Sequence, residues 1–233
     1  MELTEVMRTR HMVRSFSGRP VPDTILTKIV AAAAAAPSAG NADGWEAVVL
    51  VGPAETALFW EATTTADWRA TSPRWPGLSR APVVVAVFVN PGAYVARYAE
   101  PDKVASGLGT GPDAWPIPYW LVDGGFAVLL MLLAAVDVGL GACFLGNFRG
   151  ESELRSALDV GDESRYLGAV LIGEGDGLDT PSASARRGRR DPASAVRRLT
   201  SPPPPSSPPS PPPSPSLSSS SSSEDTIGAD VWS

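Results

Sequence analysis

Two groups of arginine residues are the side chains best suited to bind an anion. Arg10 and Arg14 lie four residues apart, with His11 next to Arg10, so they share one face if the chain is helical there. Two guanidinium groups so placed can hold a phosphate through paired charge-assisted hydrogen bonds. The same spacing is also typical of a solvated helix end, where cations favour the carboxyl terminus. Spacing alone leaves both interpretations open.

The second group is the segment 186–198, which contains six arginines. It could form a second phosphate site, a patch for nucleic acid or a basic segment without a ligand. Apart from Glu224, Asp225 and Asp230, all charged residues lie in the first 200 positions, which therefore carry 19 basic and 22 acidic side chains. This mild acidity argues against non-specific nucleic-acid binding and favours a local anion site.

A short polar loop, residues 37–41, follows a run of alanines that favours helix and precedes a segment with strand character. Exposed backbone amides and short polar side chains suit a planar ligand that forms hydrogen bonds. The alternative is a plain connection between a helix and a strand, which the composition of the loop describes equally well.

The supply of reactive side chains excludes several classes of site. His11 is the only histidine and Cys143 the only cysteine. A disulfide framework, a cysteine-based zinc site and a multi-histidine metal site are thereby excluded, and a Ser-His-Asp triad would have to use His11. The apolar surroundings of Cys143 predict a buried, inert thiol. We therefore predict no metal site.

Glycine pairs after residue 138 do not indicate a dinucleotide-binding fold. Gly139 and Gly141 follow a predicted helix and precede a predicted strand, which is the reverse of the required order. The glycines at 173, 175 and 177 follow a strand, but no helix pattern comes after them.

Hydrophobic periodicity predicts a mixture of helices and strands without strict alternation, hence an α+β fold. Predicted helices begin near residues 3, 22, 54, 119 and 151, and predicted strands cover 45–51, 82–89, 142–145 and 166–172. We expect irregular structure at 63–80 and 91–118. The chain divides into a domain at 1–199 and a tail at 200–233. With ten prolines and thirteen serines from residue 201 onward, the tail cannot bury enough apolar surface to fold and should be disordered.

The cellular setting follows from the same inspection. The first residues are acidic and contain no hydrophobic secretory core. The longest apolar run, residues 126–136, is too short to cross about 30 Å of hydrocarbon. We therefore predict a cytoplasmic protein without a membrane partner.

The motifs occur together, in the same order, in one known family. Residues 10–16 resemble the N-terminal arginine and histidine motif of the nitroreductase superfamily. The loop 37–41 followed by Trp45 resembles its A-P-S-x-x-N-x-Q-P-W motif, residues 139–146 resemble its G-L-G-x-x-x-x-G segment, and residues 182–190 resemble its C-terminal basic motif. The resemblance covers about residues 3 to 190.

This resemblance implies an FMN-dependent oxidoreductase. Its fold would be a central mixed or antiparallel sheet flanked by helices, in a domain-intertwined homodimer with two flavin sites at the interface. The helix at 123–138 would lie in the core of the dimer. Carried over by position, Arg10, His11, Met12 and Arg14 would lie at the phosphate and ribityl end of FMN, and Arg187 and Arg189 would complete the phosphate site. Pro37, Ser38, Ala39 and Asn41 of the partner chain would line the isoalloxazine, and Leu145 and Gly146 would place backbone amides near its N5 and O4 edge.

The implied reaction is ping-pong. NADH or NADPH would give hydride to flavin N5, and a small electron-poor acceptor (a nitroaromatic, quinone or enone) would then take the electrons. Three other functions stay open: a flavin dehydrogenase or reductase with another donor, a flavin-binding or storage protein with little turnover, and an interaction protein whose proline-rich tail binds aromatic grooves.

Three departures from the family pattern affect the implied site. Met12 stands where a serine is usual, which removes a hydroxyl from the phosphate side. Residues 42–44, Ala-Asp-Gly, stand where x-Q-P is usual, so the glutamine contact is lost and Asp43 adds a negative charge. After Arg190 the chain becomes rich in serine and proline instead of continuing into a structured arm.

Overall fold

The structure is a computed structural model that describes residues 1–71, 76–147, 149–180, 187–188 and 190–198. The chain forms two compact units, Met1–Arg186 and Arg187–Ser233. The predicted tail, residues 200–233, lies outside the described residues, as does Arg189.

A four-stranded antiparallel sheet forms the centre of the first unit, with strand order β1-β2-β4-β3. The strands are β1 (Trp45–Val51), β2 (Val83–Val89), β3 (Gly141–Leu145) and β4 (Arg165–Gly173). Every residue of β2 is buried, because helices cover both faces of the sheet at its centre. An uninterrupted apolar run is the pattern that a strand covered on both faces requires. All four predicted strands are confirmed, to within a residue or two at their ends.

Helices pack on both faces of the sheet, and each face has its own apolar cluster. The described helices are α1 (Leu3–Thr9), α2 (Asp23–Ala32), α3 (Pro53–Thr63), α4 (Ala66–Thr71), α5 (Pro91–Tyr98), α6 (Tyr119–Asp137), α7 (Glu151–Ala157) and α8 (Pro192–Ala195). One cluster joins α2 and α6 to the sheet, and the other joins α3 and α7 to the opposite face. Helices on both faces of an antiparallel sheet confirm the α+β prediction.

Two segments expected to be irregular contain helices. α4 lies within residues 63–80, and α5 occupies the start of residues 91–118. Helix α5 begins at Pro91, and the side chain of Asn90 caps it by accepting a hydrogen bond from the amide of Ala93 at 3.3 Å. Proline at the first position after an asparagine cap is a standard helix start. Because the residues from 107 onward are rich in glycine and proline, the whole segment was predicted to be irregular.

Helix α6 is the one described helix long and apolar enough, by length and composition, to cross a membrane. The predicted start of this helix near residue 119 is confirmed, and the apolar run 126–136 is part of it; in the seven earlier residues Asp123 and two glycines interrupt the apolar run. Its inner side packs against the sheet through Ala127, Met131 and Ala135. Its outer side keeps apolar side chains exposed, including Phe126 at 42% and Leu129 at 46%.

Candidate functional site

The segment after α1 is extended and lies beside strand β3. The amide of Val13 donates to the carbonyl oxygen of Ala142 at 3.0 Å, and Met12 forms a parallel bridge with Ala142. The helix ends at Thr9, so the arginine motif is not the helical face that its four-residue spacing suggested. Residues on an extended segment alternate between two sides. Arg10, Met12 and Arg14 therefore share one side of the segment. The cause is the alternation of an extended chain, whereas their spacing in the sequence suggested a helical face.

Arg10 and Arg14 differ in their local contacts. The guanidinium of Arg14 donates to the carbonyl oxygen of Met12 at 3.2 Å, and its backbone amide donates to the carboxylate of Asp179 at 3.0 Å. Arg10 is half-buried, and its guanidinium forms no ion pair with any residue of the described chain. A half-buried cation without a protein counter-ion is suited to bind an anionic ligand.

His11 lies on the other side of the segment. With Thr9, Val13 and Ser15 it lines a cavity of about 460 Å³, and its Nδ1 lies 3.0 Å from the carbonyl oxygen of Thr9. The alternation of an extended chain turns this side away from Arg10 and Arg14. The structure thus separates the imidazole from the two guanidinium groups that the sequence places next to it.

Met12 packs against β3 instead of offering a polar group. Its sulfur lies 3.4 Å from the amide nitrogen of Phe144, and its side chain contacts both apolar clusters. A thioether is a weak acceptor and cannot donate. The packing gives a physical reason for the departure from serine, since a flexible apolar side chain fills the space between the segment and the strand.

Strand β3 ends at Leu145, and the backbone amides of the next two residues donate no hydrogen bond within the described chain. Neither Gly146 nor Asn147 donates its backbone N–H to another group in the part of the chain that the structure describes. The Met12–Phe144 contact places the end of this strand beside Met12 of the arginine segment. Cys143, in the same strand, is buried at 2% exposure, which confirms the predicted burial, and burial raises the pKa of its thiol.

The largest described cavity in this region, about 610 Å³, begins at the end of β3. Leu145, Gly146 and Asn147 form one wall, and Trp60, Trp68, the threonines at 63–65, Arg149 and Glu153 are among the residues that form the rest. The rings of Trp60 and Trp68 are stacked, with centroids 6.1 Å apart and planes 16° from parallel. An apolar, aromatic wall with a few polar groups is typical of a site for a small organic molecule.

The polar loop is held by backbone hydrogen bonds on both sides of Gly40. The amide of Ala39 donates to the carboxylate of Asp123 at 2.8 Å, and the carbonyl oxygen of Gly40 accepts from Arg97 Nε at 2.8 Å. Gly40 has a φ of 63°, and a Cβ there would lie 2.8 Å from the ring of Tyr98. Only glycine meets both the backbone conformation and the close approach.

Asp43 and Gly44 stand at the positions of the glutamine and proline in the family motif, and local contacts explain both residues. Asp43 has a φ of 47°, and its amide donates to the hydroxyl of Ser38 at 3.0 Å. At Gly44 a Cβ would lie 2.6 Å from the ring of Tyr94. Helix α5 approaches the loop so closely that a side chain at position 44 is excluded.

The predicted site residues fall into separate groups. Arg10, Met12 and Arg14 lie on the segment that pairs with β3, and Met12 contacts Phe144 next to Leu145. The loop that contains Pro37, Ser38, Ala39 and Asn41 packs on α5 and α6 through the amide of Ala39 and the carbonyl oxygen of Gly40. Arg187 is exposed in the second unit, and Arg189 lies outside the described residues.

Sequence inspection missed Asp123, Tyr94 and Arg97, which position the loop. The sequence contained one signal, which concerns Asp123. An acidic residue in the middle of an otherwise apolar helix is costly to bury without partners, so its presence there indicates a specific contact. Nothing in the local sequence around residue 94 or 97 indicated a contact with the loop.

Several known proteins are similar to this chain. Residues 7–174 match the family model described as Nitroreductase family. A protein of Archaeoglobus fulgidus named "Putative NADH dehydrogenase/NAD(P)H nitroreductase" is 26% identical over 175 residues, which cover 74% of this chain and 84% of the relative. A nitroreductase family protein from Clostridium novyi NT has 22% identity and a TM-score of 0.59, with 76% of this chain and 87% of that chain covered. A structure from Exiguobacterium sibiricum 255-15, described as a complex with FMN, has 16% identity and a TM-score of 0.64, with 86% and 98% covered.

Proposed function

Because the chain belongs to the nitroreductase family, we propose that it is an FMN-dependent oxidoreductase that passes hydride from NADH or NADPH to a small electron-poor acceptor. The observation that carries the proposal is the bridge between Met12 and Ala142. It pairs the N-terminal arginine segment with β3, and the two backbone amides that follow this strand have no partner among the described residues.

The residues of this region fit an FMN molecule. Its phosphate is an anion, and Arg10 offers a guanidinium without a protein counter-ion, next to Arg14. Backbone amides at Gly146 and Asn147 are suitable donors to the heteroatoms at the edge of a flavin ring. The role of Arg187 and Arg189 at the phosphate stays a prediction from the sequence, and in this proposal His11 contributes through the backbone of its segment.

Bound FMN supplies the hydride chemistry, so the chain needs no catalytic triad and no metal. The tasks left to the protein are to hold the phosphate, to orient the ring through backbone amides, and to exclude water from its edge. Because the donor and the acceptor bind one after the other at the same flavin ring, we expect ping-pong kinetics.

The cavity of about 610 Å³ is the proposed acceptor site. It shares Leu145 and Gly146 with the proposed flavin edge, and the stacked pair of Trp60 and Trp68 forms its aromatic side. Aromatic side chains favour planar, apolar ligands, which supports a nitroaromatic, a quinone or an enone conjugated to a ring.

A homodimer completes the site in our proposal. Within one chain the loop is held by α5 and α6 and the arginine segment pairs with β3, and we propose that a second copy supplies the loop to each flavin. The exposed apolar side of α6, with Phe126 and Leu129 at its centre, is the surface that the second copy covers. Exposed apolar patches of this kind are typical of protein interfaces.

We also propose that residues 1–199 form the flavin domain, that residues 200–233 are a disordered appendix, and that the protein is cytoplasmic without nucleic-acid or membrane partners.

A second candidate function has specific support. Met12 and Asp43 replace two residues that contact FMN in the family pattern, and both are held by local packing. A flavin-binding protein with little turnover, or an enzyme that uses another donor, fits these departures.

The visible spectrum of the purified protein distinguishes these functions. We expect a yellow protein, or a colourless one that becomes yellow with FMN, and loss of the flavin absorbance when NADH or NADPH is added without oxygen. A yellow protein that keeps its absorbance with both donors supports the second candidate. Failure to take up FMN contradicts both.

A further inference from the structure

We propose that Asp123 is a positioning residue that fixes the loop Ser38–Asn41 in the conformation that receives the flavin ring. The role of the loop in flavin binding rests on the proposed function. The role of Asp123 in fixing its backbone rests on contacts within this chain.

Asp123 joins three elements at one carboxylate oxygen. Its Oδ2 accepts from the amide of Ala39 in the loop and from the hydroxyl of Tyr94 in α5, each at 2.8 Å. Asp123 itself lies in α6 and is only 3% exposed. The loop is thereby attached to two helices at a single point.

A buried carboxylate at this position is costly for stability alone. Removing it from water is unfavourable, and no cation pairs with Asp123 in the described chain. Its hydrogen-bond partners in the described chain are neutral donors, the loop amide and the phenol. An apolar residue would suit the rest of α6 better but would leave the amide of Ala39 without an acceptor, so the carboxylate serves the loop.

Tyr94 strengthens the arrangement because it remains a donor. It is fully buried, with its ring edge-on to Trp115 and Trp120. Burial, and then its hydrogen bond to Asp123, raise the pKa of Tyr94 above its usual range. The hydroxyl thus keeps its proton at any pH at which the protein is folded and continues to orient the carboxylate.

The consequence is a loop with a fixed backbone and a free side chain. Asp123 holds the amide of Ala39, and Arg97 holds the carbonyl oxygen of Gly40 at 2.8 Å. Arg97 is in turn fixed by two hydrogen bonds to Asp102, at 2.7 and 2.8 Å. The side chain of Asn41 is exposed and makes no hydrogen bond in the described chain, so it is available to a ligand. A preformed loop binds more tightly because less conformational entropy is lost on binding.

The test uses hydrogen exchange of the full chain without FMN, followed by titration with FMN. Asp123→Ala removes the acceptor, Asp123→Asn keeps a neutral acceptor oxygen, and Tyr94→Phe removes only the hydroxyl. Asp137→Ala is the matched control, since Asp137 lies in the same helix, is exposed, and accepts a hydrogen bond from the N-terminal ammonium group.

We expect amides 38–42 to exchange about tenfold faster in Asp123→Ala, with β2 and β4 unchanged, and FMN to bind about tenfold more weakly, the effect of one lost hydrogen bond. Asp123→Asn should stay within about threefold of the wild type, Tyr94→Phe should fall between the two, and Asp137→Ala should match the wild type.

Three outcomes overturn the proposal: unchanged loop exchange in Asp123→Ala, equal acceleration in the loop and in β2 and β4, or an Asp123→Asn variant as impaired as Asp123→Ala. If Asp123→Ala does not fold, Asp123→Asn and Tyr94→Phe decide by the same criteria. A wild-type chain that binds no FMN ends the proposed function, while loop exchange still decides whether Asp123 positions the loop.

Discussion

The backbone amide of Val13 donates to the carbonyl oxygen of Ala142 at 3.0 Å, and this one hydrogen bond joins two motifs from distant parts of the sequence. It continues the edge of β3 into the N-terminal segment. As a result, the arginine motif lies along β3, the strand that leads to the backbone amides of Gly146 and Asn147.

Removal of the unpaired guanidinium should weaken cofactor binding. We expect Arg10→Ala to raise the Kd for FMN roughly ten- to a hundredfold, because a charge-assisted hydrogen bond contributes about 1.5–3 kcal/mol. Titration of the colourless protein with FMN measures the change. Arg8→Ala is the control, since Arg8 pairs with Glu5 on the exposed side of α1. Equal affinities in the two variants would remove Arg10 from the site.

Charges on the outer side of α6 should prevent dimer formation. We expect the double substitution Phe126→Glu and Leu129→Glu to convert a dimer into a monomer, because a buried, unpaired carboxylate is strongly unfavourable. Light scattering after gel filtration gives the mass, and circular dichroism checks the fold. Val104→Glu, at an exposed apolar residue away from α6, should remain dimeric. A dimeric double variant would place the interface elsewhere.

Loss of the Trp68 indole should weaken binding of the acceptor more than binding of the cofactor. Trp68→Ala removes one member of the stacked pair, and such aromatic contacts contribute roughly 0.5–1.5 kcal/mol. We expect KM for a nitroaromatic to rise roughly two- to tenfold, with FMN affinity unchanged. Leu58→Ala, at an exposed position of α3, is the control. A similar rise in both variants would argue against an acceptor site between the tryptophans.

The carboxylate of Asp176 should contribute to stability only above acidic pH. The backbone amide of Leu178, the hydroxyl of Ser15 and the guanidinium of Arg80 all lower the pKa of Asp176, and burial opposes them. A lowered pKa in the folded state means that the stabilisation is present above the unfolded value of about 4 and is lost as the pH falls through the folded value.

We therefore expect Asp176→Asn to have a lower Tm than the wild type at pH 7 and a smaller difference at pH 3. Thermal unfolding from pH 3 to 7 measures both. Asp113→Asn should follow the wild-type curve, because Asp113 is exposed and forms no ion pair in the described chain. A difference that stays constant over this range would contradict the assignment.

The single thiol should be unreactive in the native protein. Cys143 is buried in β3, and burial raises the pKa of its thiol, so little thiolate is present or accessible at pH 8. We expect a disulfide reagent such as DTNB to label no cysteine in the folded protein and one per chain in denaturant. Rapid labelling of the folded protein would show that β3 opens readily.

The four strands were predictable because their apolar runs are continuous, and such runs report burial directly. The helix that begins at Pro91 was not recognised, because its capping signal stands next to a segment rich in glycine and proline. The arginine motif was recognised by residue type, but its local structure was not, since the extended conformation depends on pairing with β3.

The sequence by itself determined which chemistry is possible: one histidine, one cysteine and two arginine groups leave the reaction to a cofactor. Only the tertiary structure decided which residues act together. It separated His11 from its neighbouring arginines by the alternation of an extended chain, and it joined Asp123 to Ala39 and Tyr94. Contacts of this kind are made between residues far apart in sequence, and no local pattern of residue types encodes them, because their free energy comes from the packing of whole elements.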